Sequence, residues 1–539
     1  MPLAGRAVTR RYFLAGSIGS LGRNPCASAG ISGLQTDEAL RGYRVAEDAL
    51  PLRIEVSRFR IFADHEKLLF FMFLLTLPLS NPWVHGDGVG YYAYLRSALI
   101  DHDLRFENDY LAANESFVIS RVDEQGHLLP RLYTKTGYVE NHFSVGPAIL
   151  WAPVMLVVHG GVLISDHFGA CVAANGYSRP YLLTMSLTTA CYGFLSLFLA
   201  FQVTRKYFVD QWSFFATVAI WMASTLPVYM YFNPSWSHAF SAFAVALFLW
   251  YWERTKLQRT AGQWAVLGLM AGLMGNVYYP NVILLIFPAL EILLLWRANR
   301  RDFGHLAIPI QKSALCCGVF VVVFLASLLP TLITRQIIYG SPFETGYPAI
   351  STWNWTSPAL FKVLFSSDHG LFSWTPVLIL AVVGHLFLIK RDTMLGAGSL
   401  LTFLVFYYFI ACYPDWDGLS SFGNRFFVSL TPIFILGLAA LLSSFSNWLG
   451  KTTHAVAVAC PVLALIIAWN AGFIFQWGTH MVPARGEISW STMIRNQFAE
   501  VPLRVTHGLE TYFTRRSEMM LQMEQEDIEQ QKIHEAPEN

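Results

Sequence analysis

Long apolar runs recur along the chain, each about the length needed to cross a bilayer. They lie near 68–84, 180–204, 212–232, 237–253, 262–279, 281–297, 313–334, 370–389, 395–413, 426–446 and 453–475. The pattern predicts an all-α, polytopic membrane protein of about eleven spans, within a range of roughly ten to thirteen. A further run, 143–164, contains Gly146, Pro147, Pro153, Gly160 and Gly161, which weaken a straight span.

The polar intervals orient these runs. Four short loops are basic: Arg205 with Lys206; Arg254, Lys256 and Arg259; Arg297, Arg300, Arg301 and Lys312; and Lys390 with Arg391. Each is separated from the next by two spans, so all four fit one side, the cytoplasmic one. Arg53, Arg58, Arg60 and Lys67 precede the first span and place its start there too. Everything from 85 to 179 is then external. Run 143–164 is therefore read as an interfacial or re-entrant helix in one large first external loop. A true span, with one loop breaking the charge rule, is the alternative. Three regions follow: a disordered cytoplasmic extension over 1–64, a transmembrane domain over 65–478, and an external polar helical tail over 479–539.

Composition agrees. Hydrophobic residues make up 54% of the 539 and charged residues only 14%, well below the quarter or so typical of soluble domains. The net charge of +1 gives no field for nucleic acid. The seven cysteines are scattered, five of them in apolar runs, and read as small core residues. Thr9-Arg10-Arg11-Tyr12-Phe13-Leu14 has the look of a twin-arginine export signal, but the stretch after it is a poor apolar region.

Polar and aromatic motifs gather at the external helix ends. The first loop opens with Gly86-Asp87-Gly88-Val89-Gly90-Tyr91-Tyr92, and its glycines would let backbone and substrate approach closely. Lys135 and His142 precede the 143–164 run and could touch an anionic group. Asn233-Pro234-Ser235-Trp236-Ser237-His238 and the turn at Tyr279 are further external corners; His238, just inside a span, suits a cavity wall. The 335–369 loop carries Arg335, Tyr347, Asp368 and His369, where aromatic rings can stack on sugars and arginine can hold phosphate. Arg425 stands on a side that disfavours positive charge, so it needs a partner: Asp415, Asp417 or an anionic ligand.

A carboxylate beside an external cavity, with cationic and aromatic neighbours, suits group transfer from a phosphate-linked lipid. The layout over about 65–480 resembles the GT-C superfamily of membrane glycosyltransferases, which includes protein O-mannosyltransferases and aminoarabinose transferases. Gly86-Asp87-Gly88-Val89-Gly90-Tyr91-Tyr92, Asn141-His142-Phe143, Trp416-Asp417-Gly418 and Ser421-Phe422-Gly423-Asn424-Arg425 carry the resemblance. It implies a polyprenyl-phosphate sugar donor, inversion at the anomeric carbon, and Asp87 as catalytic base. The acceptor could be a lipid, a glycan or a protein, and the setting a bacterial inner membrane with the site facing the periplasm. Tyr91, Lys135, His142, His238, Tyr279, Tyr347, Asp368, His369, Asp417 and Arg425 are the candidate substrate contacts. Many members carry two adjacent acids where this chain has Asp87-Gly88, so no cofactor is expected and a divalent cation lacks support. A transporter or lipid flippase is the competing class. It needs polar groups at mid-membrane, and Glu291 is the exception in otherwise apolar cores. A non-catalytic scaffold would leave the shared face of Asp87, His238 and Arg425 without a reason.

Overall fold

The computed structural model describes residues 64–300, 310–483 and 485–535. The expected extension over 1–64 lies outside them, apart from Asp64, as does Arg301 of the third basic loop. Every named element among the described residues is helical, with two isolated β-bridges, Val122–Leu128 and Tyr133–Val139. The chain is an integral membrane protein.

The helices that order the site are α1 (Asp64–Thr76), α2 (Asp87–Arg96), α3 (Gly146–His167), α4 (Arg179–Thr204), α5 (Asp210–Met222), α6 (His238–Thr255), α7 (Ala261–Val277), α8 (Ile286–Arg300), α9 (Ile310–Ser327) and α10 (Leu329–Tyr339). After these come α11 (Val377–Arg391), α12 (Thr393–Cys412), α13 (Thr431–Leu449), α14 (Thr452–Gly478), α15 (Val501–Thr514) and α16 (Arg516–Glu535). Seven segments among the described residues are long and apolar enough to cross a membrane. Other expected spans are shorter as helices, and local chemistry shows why. The first stops at Thr76 because Pro78 removes a backbone donor and a 3-10 turn, Leu77–Leu79, takes over. The 212–232 run divides into α5 and a π-turn, Val228–Phe232, that follows Pro227. α7 starts sharply because Thr260 and Gln263 form a reciprocal capping box.

α13 is the axial helix: 83% of its apolar window is buried, and α4, α5, α6, α11 and α14 pack around it. Run 143–164 is one unbroken helix of 22 residues that continues through Pro153, so its prolines and glycines do not interrupt it as the sequence suggested. Its length and composition would suffice to span. It runs antiparallel to α4: Tyr192 reaches the Leu150 carbonyl, Trp151 Nε1 donates to Thr189 Oγ1 at 3.0 Å, and His159 Nδ1 lies 2.6 Å from the Tyr181 hydroxyl. These pairs set α3 beside the first half of α4, away from the end that carries Arg205. The following segment returns to α2, where Tyr92 donates to the Gly176 carbonyl at 2.5 Å.

Basic loops are knitted together at the opposite face. Arg205 bridges Glu66 and Asp210 at 2.5 and 2.7 Å, and Lys256 meets Asp392 at 3.1 Å. Glu291, the acid that favoured a transporter, is consumed here. It accepts from Arg259 Nη1 at 2.6 Å, Trp252 Nε1 at 2.8 Å and the Leu257 N–H at 2.6 Å, and Glu291, Arg259 and Trp252 are buried. Breaking a buried, fully bonded pair costs about 3–5 kcal/mol. Glu291→Gln is therefore expected to lower the thermal midpoint in detergent while the folded fraction keeps its activity. Lost activity at an unchanged midpoint would restore a transport role for Glu291.

Candidate active site

Asp87 is the first residue of α2, where the helix N-terminus favours a carboxylate. The glycines after it serve protein packing. A Cβ on Gly88 would stand 1.9 Å from Ser235 Oγ, and one on Gly90 would stand 2.0 Å from the Phe143 ring. Their absence seats the Ser235–Trp236 corner and the Asn141–Phe143 segment directly on α2. The expectation that these glycines admit substrate is corrected accordingly.

Arg425 opens the 3-10 turn Arg425–Leu430 that leads into α13. Its Nη1 donates to Asp87 Oδ2 at 2.5 Å. Asp415 and Asp417, its expected partners, do not pair with it, because the guanidinium turns toward α2 and lies over the Trp236 ring, 4.6 Å from the centroid. Trp236 in turn donates its Nε1 to the His85 carbonyl at 3.1 Å. The ion pair fixes one oxygen of Asp87. Its other oxygen, Oδ1, meets no protein donor among the described residues.

Arg335 anchors the second strip of the site. It is almost fully buried in α10 and donates to the carbonyls of Asn141, His142 and Phe143 at 2.9, 2.7 and 3.1 Å, and to the Tyr279 hydroxyl. Asn141 donates to the Gly90 carbonyl at 2.9 Å, and Tyr94 to the Asn141 carbonyl at 3.0 Å. Arg335 is thus a backbone clamp with both terminal nitrogens engaged, not the phosphate ligand its residue type suggested.

A cavity of 880 Å³ opens between these strips and the chain beyond α14. Asp87, Arg425, His85, His142 and Arg121 stand on its polar side; Met222, Ile467, Ala471, Ile474 and Phe475 give an apolar side. Arg121 Nη1 donates to the Phe117 carbonyl at 2.8 Å and Ser120 Oγ at 3.1 Å, and its guanidinium stacks 3.8 Å over the Phe117 ring. Among the described residues it has no carboxylate within ion-pair distance. Burial lowers its pKa, while the hydroxyl of Tyr110 and the charge of Asp87 act against the shift. Burial also pushes His85 down to about 4, against the carboxylates of Asp527 and Asp87. His142 is likewise pushed down to about 4 by burial. Both imidazoles are neutral at pH 7 and offer hydrogen bonds without charge.

The other expected contacts are distributed more widely. Tyr91 sits behind the site against Phe143, with a ring separation of 4.8 Å, and burial raises its pKa. Tyr347 packs edge-on to His142 at 4.8 Å. Tyr279 is taken up by Arg335. His238 is buried in an aromatic nest with Tyr229, Trp236 and Tyr278, and Lys135 is exposed; neither lines the cavity. Asp368, His369 and Asp417 form a separate cluster. Asp368 Oδ1 lies 3.6 Å from His369 Nδ1. Burial, joined by the charges of Asp417 and Glu487, pushes Asp368 up to about 6, and burial pushes His369 down to about 4. No group of three His, Cys, Asp or Glu among the described residues is placed to hold a metal.

Sequence reasoning missed His85, Arg121, His480 and Asp527. Arg121 looked like an ordinary loop arginine. Asp527 had a faint signal: Met519, Met523 and Asp527 recur every four residues and so share one helix face.

No protein-family model matches the sequence, and no curated protein matches it. Solved structures do. The chain is similar to the Archaeoglobus fulgidus oligosaccharyltransferase in complex with Zn and sulfate, at 14% identity and TM-score 0.46, covering 77% of this chain and 55% of that one. It is also similar to the same organism's oligosaccharyltransferase AglB in complex with an inhibitory peptide and a dolichol-phosphate (11%, 0.42, 79% and 56%). A third is ArnT from Cupriavidus metallidurans bound to undecaprenyl phosphate (12%, 0.41, 77% and 70%). The chain spans a little over half the length of the archaeal enzyme.

Proposed function

We propose that this protein is an inverting membrane glycosyltransferase. It moves a sugar from a polyprenyl-phosphate carrier to an acceptor hydroxyl, on the periplasmic face of a bacterial inner membrane. The observation that carries the reading is the cavity itself, in which a carboxylate, a carboxylate-free arginine and an apolar side meet. The ion-paired loops at the far end support the orientation, since basic residues favour the cytoplasmic face.

In this reading the prenyl chain lies along Met222, Ile467, Ile474 and Phe475, and its phosphate meets Arg121. The acceptor oxygen attacks the anomeric carbon from the side opposite the phosphate. A new carbon–oxygen bond forms as the bond from that carbon to the phosphate oxygen breaks. The electron pair leaves with the polyprenyl phosphate, whose added negative charge Arg121 and Arg425 stabilise. The acceptor proton passes to Asp87 Oδ1. Arg425 keeps the carboxylate aimed while this happens. Lys135 and His238 stand outside the lining of this cavity.

The test is purified protein in lipid, given radiolabelled polyprenyl-phosphate sugars and membrane extract. Label passing to an acceptor is expected; failure with every common donor sinks the reading. Arg121→Gln separates binding from folding, because Arg121 holds no buried carboxylate. A hydrogen bond between charged groups is worth roughly 1.5–3 kcal/mol, so the donor KM should rise about 10- to 100-fold. An unchanged KM would remove Arg121 from the phosphate site.

A further inference from the structure

α16 is a polar helix carrying Glu524, Glu526, Asp527 and Glu529, residues that water would solvate well. Yet it lies along the cavity and is tied down along its length. Arg516 donates to the Ser80 and Pro78 carbonyls at 2.7 and 2.8 Å. Asn81 Nδ2 reaches the Met520 sulfur at 3.2 Å. Glu524 accepts from Asn114 Nδ2 at 2.9 Å and from the Ser116 N–H at 2.5 Å. Glu526 meets His480 Nδ1 at 2.5 Å. All these partners belong to the chain around Asp87 or to the segment just after α14. The ties set the rotation of the helix, so that Met519, Met520, Met523 and Asp527 line the cavity.

Asp527 is the telling residue. Its Oδ1 lies 3.3 Å from His480 Nε2, and its side chain is 32% exposed. Among the described residues it pairs with no arginine or lysine. Its charge is felt at His85, two residues before Asp87. A carboxylate placed here repels the donor's phosphate, which has Arg121 and Arg425 instead. It suits a neutral, hydrogen-bond-donating group, and the remaining substrate of that kind is the acceptor.

The geometry points to Asp527 as the second carboxylate of the site, binding acceptor hydroxyls, with α16 as the wall that keeps water from competing for the sugar. This rests on the glycosyltransferase reading above. The three methionines suit the wall, because thioethers adapt to varied apolar shapes.

Two measurements test it. The first is hydrogen exchange on the full protein in lipid, with and without undecaprenyl phosphate. Amides of α16 should be protected and become more so with the lipid; exchange at the rate of a free helix overturns the wall. The second is the partition of a radiolabelled undecaprenyl-phosphate sugar between hydrolysis and transfer to membrane-extract acceptors. In Asp527→Asn, the ratio of transfer to hydrolysis should fall about tenfold. Glu529→Gln, an exposed control, should leave the ratio unchanged. An unaltered ratio in Asp527→Asn, or equal loss of transfer and hydrolysis, overturns the acceptor role. If wild type consumes no donor, the enzyme reading fails and the role of Asp527 falls with it, whereas the exchange result still decides the wall.

Discussion

Asp87→Asn should abolish sugar transfer, lowering the single-turnover rate by about 10³-fold, within the range that a positioned general base contributes. The substitution is nearly isosteric. Its amide oxygen can still accept from Arg425 Nη1, so the geometry of α2 and the Arg425–Leu430 turn should persist. What disappears is the negative charge and the capacity to take a proton. Arg425 is left partly buried without its counterion, which should cost some stability. The rate must therefore be compared at matched folded fraction, read from the thermal midpoint. Near-normal transfer by Asp87→Asn would remove Asp87 as the base. Loss of protein from the membrane would make Asp87 a structural residue.

The largest effect on folding is expected at Arg335. Its guanidinium holds three backbone carbonyls and one phenol at once. Arg335→Ala strands these acceptors in a buried place, and each unsatisfied group costs roughly 1–3 kcal/mol. The protein should express poorly or unfold many degrees earlier. Arg335→Lys should recover only part of the loss, since an ammonium lacks the planar fork that reaches several carbonyls together. Unfolding followed by tryptophan fluorescence in detergent reads both variants. A normally folded Arg335→Lys with a weakened donor KM would contradict the clamp and return Arg335 to the phosphate.

The reach of the sequence was uneven for physical reasons. α4, α12, α13 and α14 were plain because a long apolar run has few alternatives in a membrane protein. α1 and α5 were overestimated because hydropathy does not register the break before Pro78 or the turn that ends α5 at Met222. Asp87 and Arg425 each stood out, one between glycines and the other a cation on the disfavoured side. That they bind one another is a tertiary fact no local pattern contains, and the acids beside Arg425 in the chain were the natural but mistaken partners. Asp368, His369 and Asp417 drew notice by residue type, and the fold gathers them away from the cavity lining. Arg335 misled for the opposite reason: an arginine near a polar loop looks ligand-like until its carbonyl partners are seen. α16 was legible as a helix but not as a wall, since a polar helix gives no sign of what it will cover.

The pairing of Asp87 with Arg425 also bears on the order of assembly. The two residues are 338 positions apart. At roughly 5–20 residues per second, synthesis needs about 20 to 70 s to pass from one to the other. Throughout that interval Asp87 lacks the arginine that aims it, although Arg335, made before Arg425, can already close on Asn141. In the proposed reading, a nascent or truncated chain can meet carrier lipid before it has the means to react with it. The segment that leads into α13 brings, in that reading, the arginine that aims Asp87, and the cavity is complete only once α14 and α16 have followed.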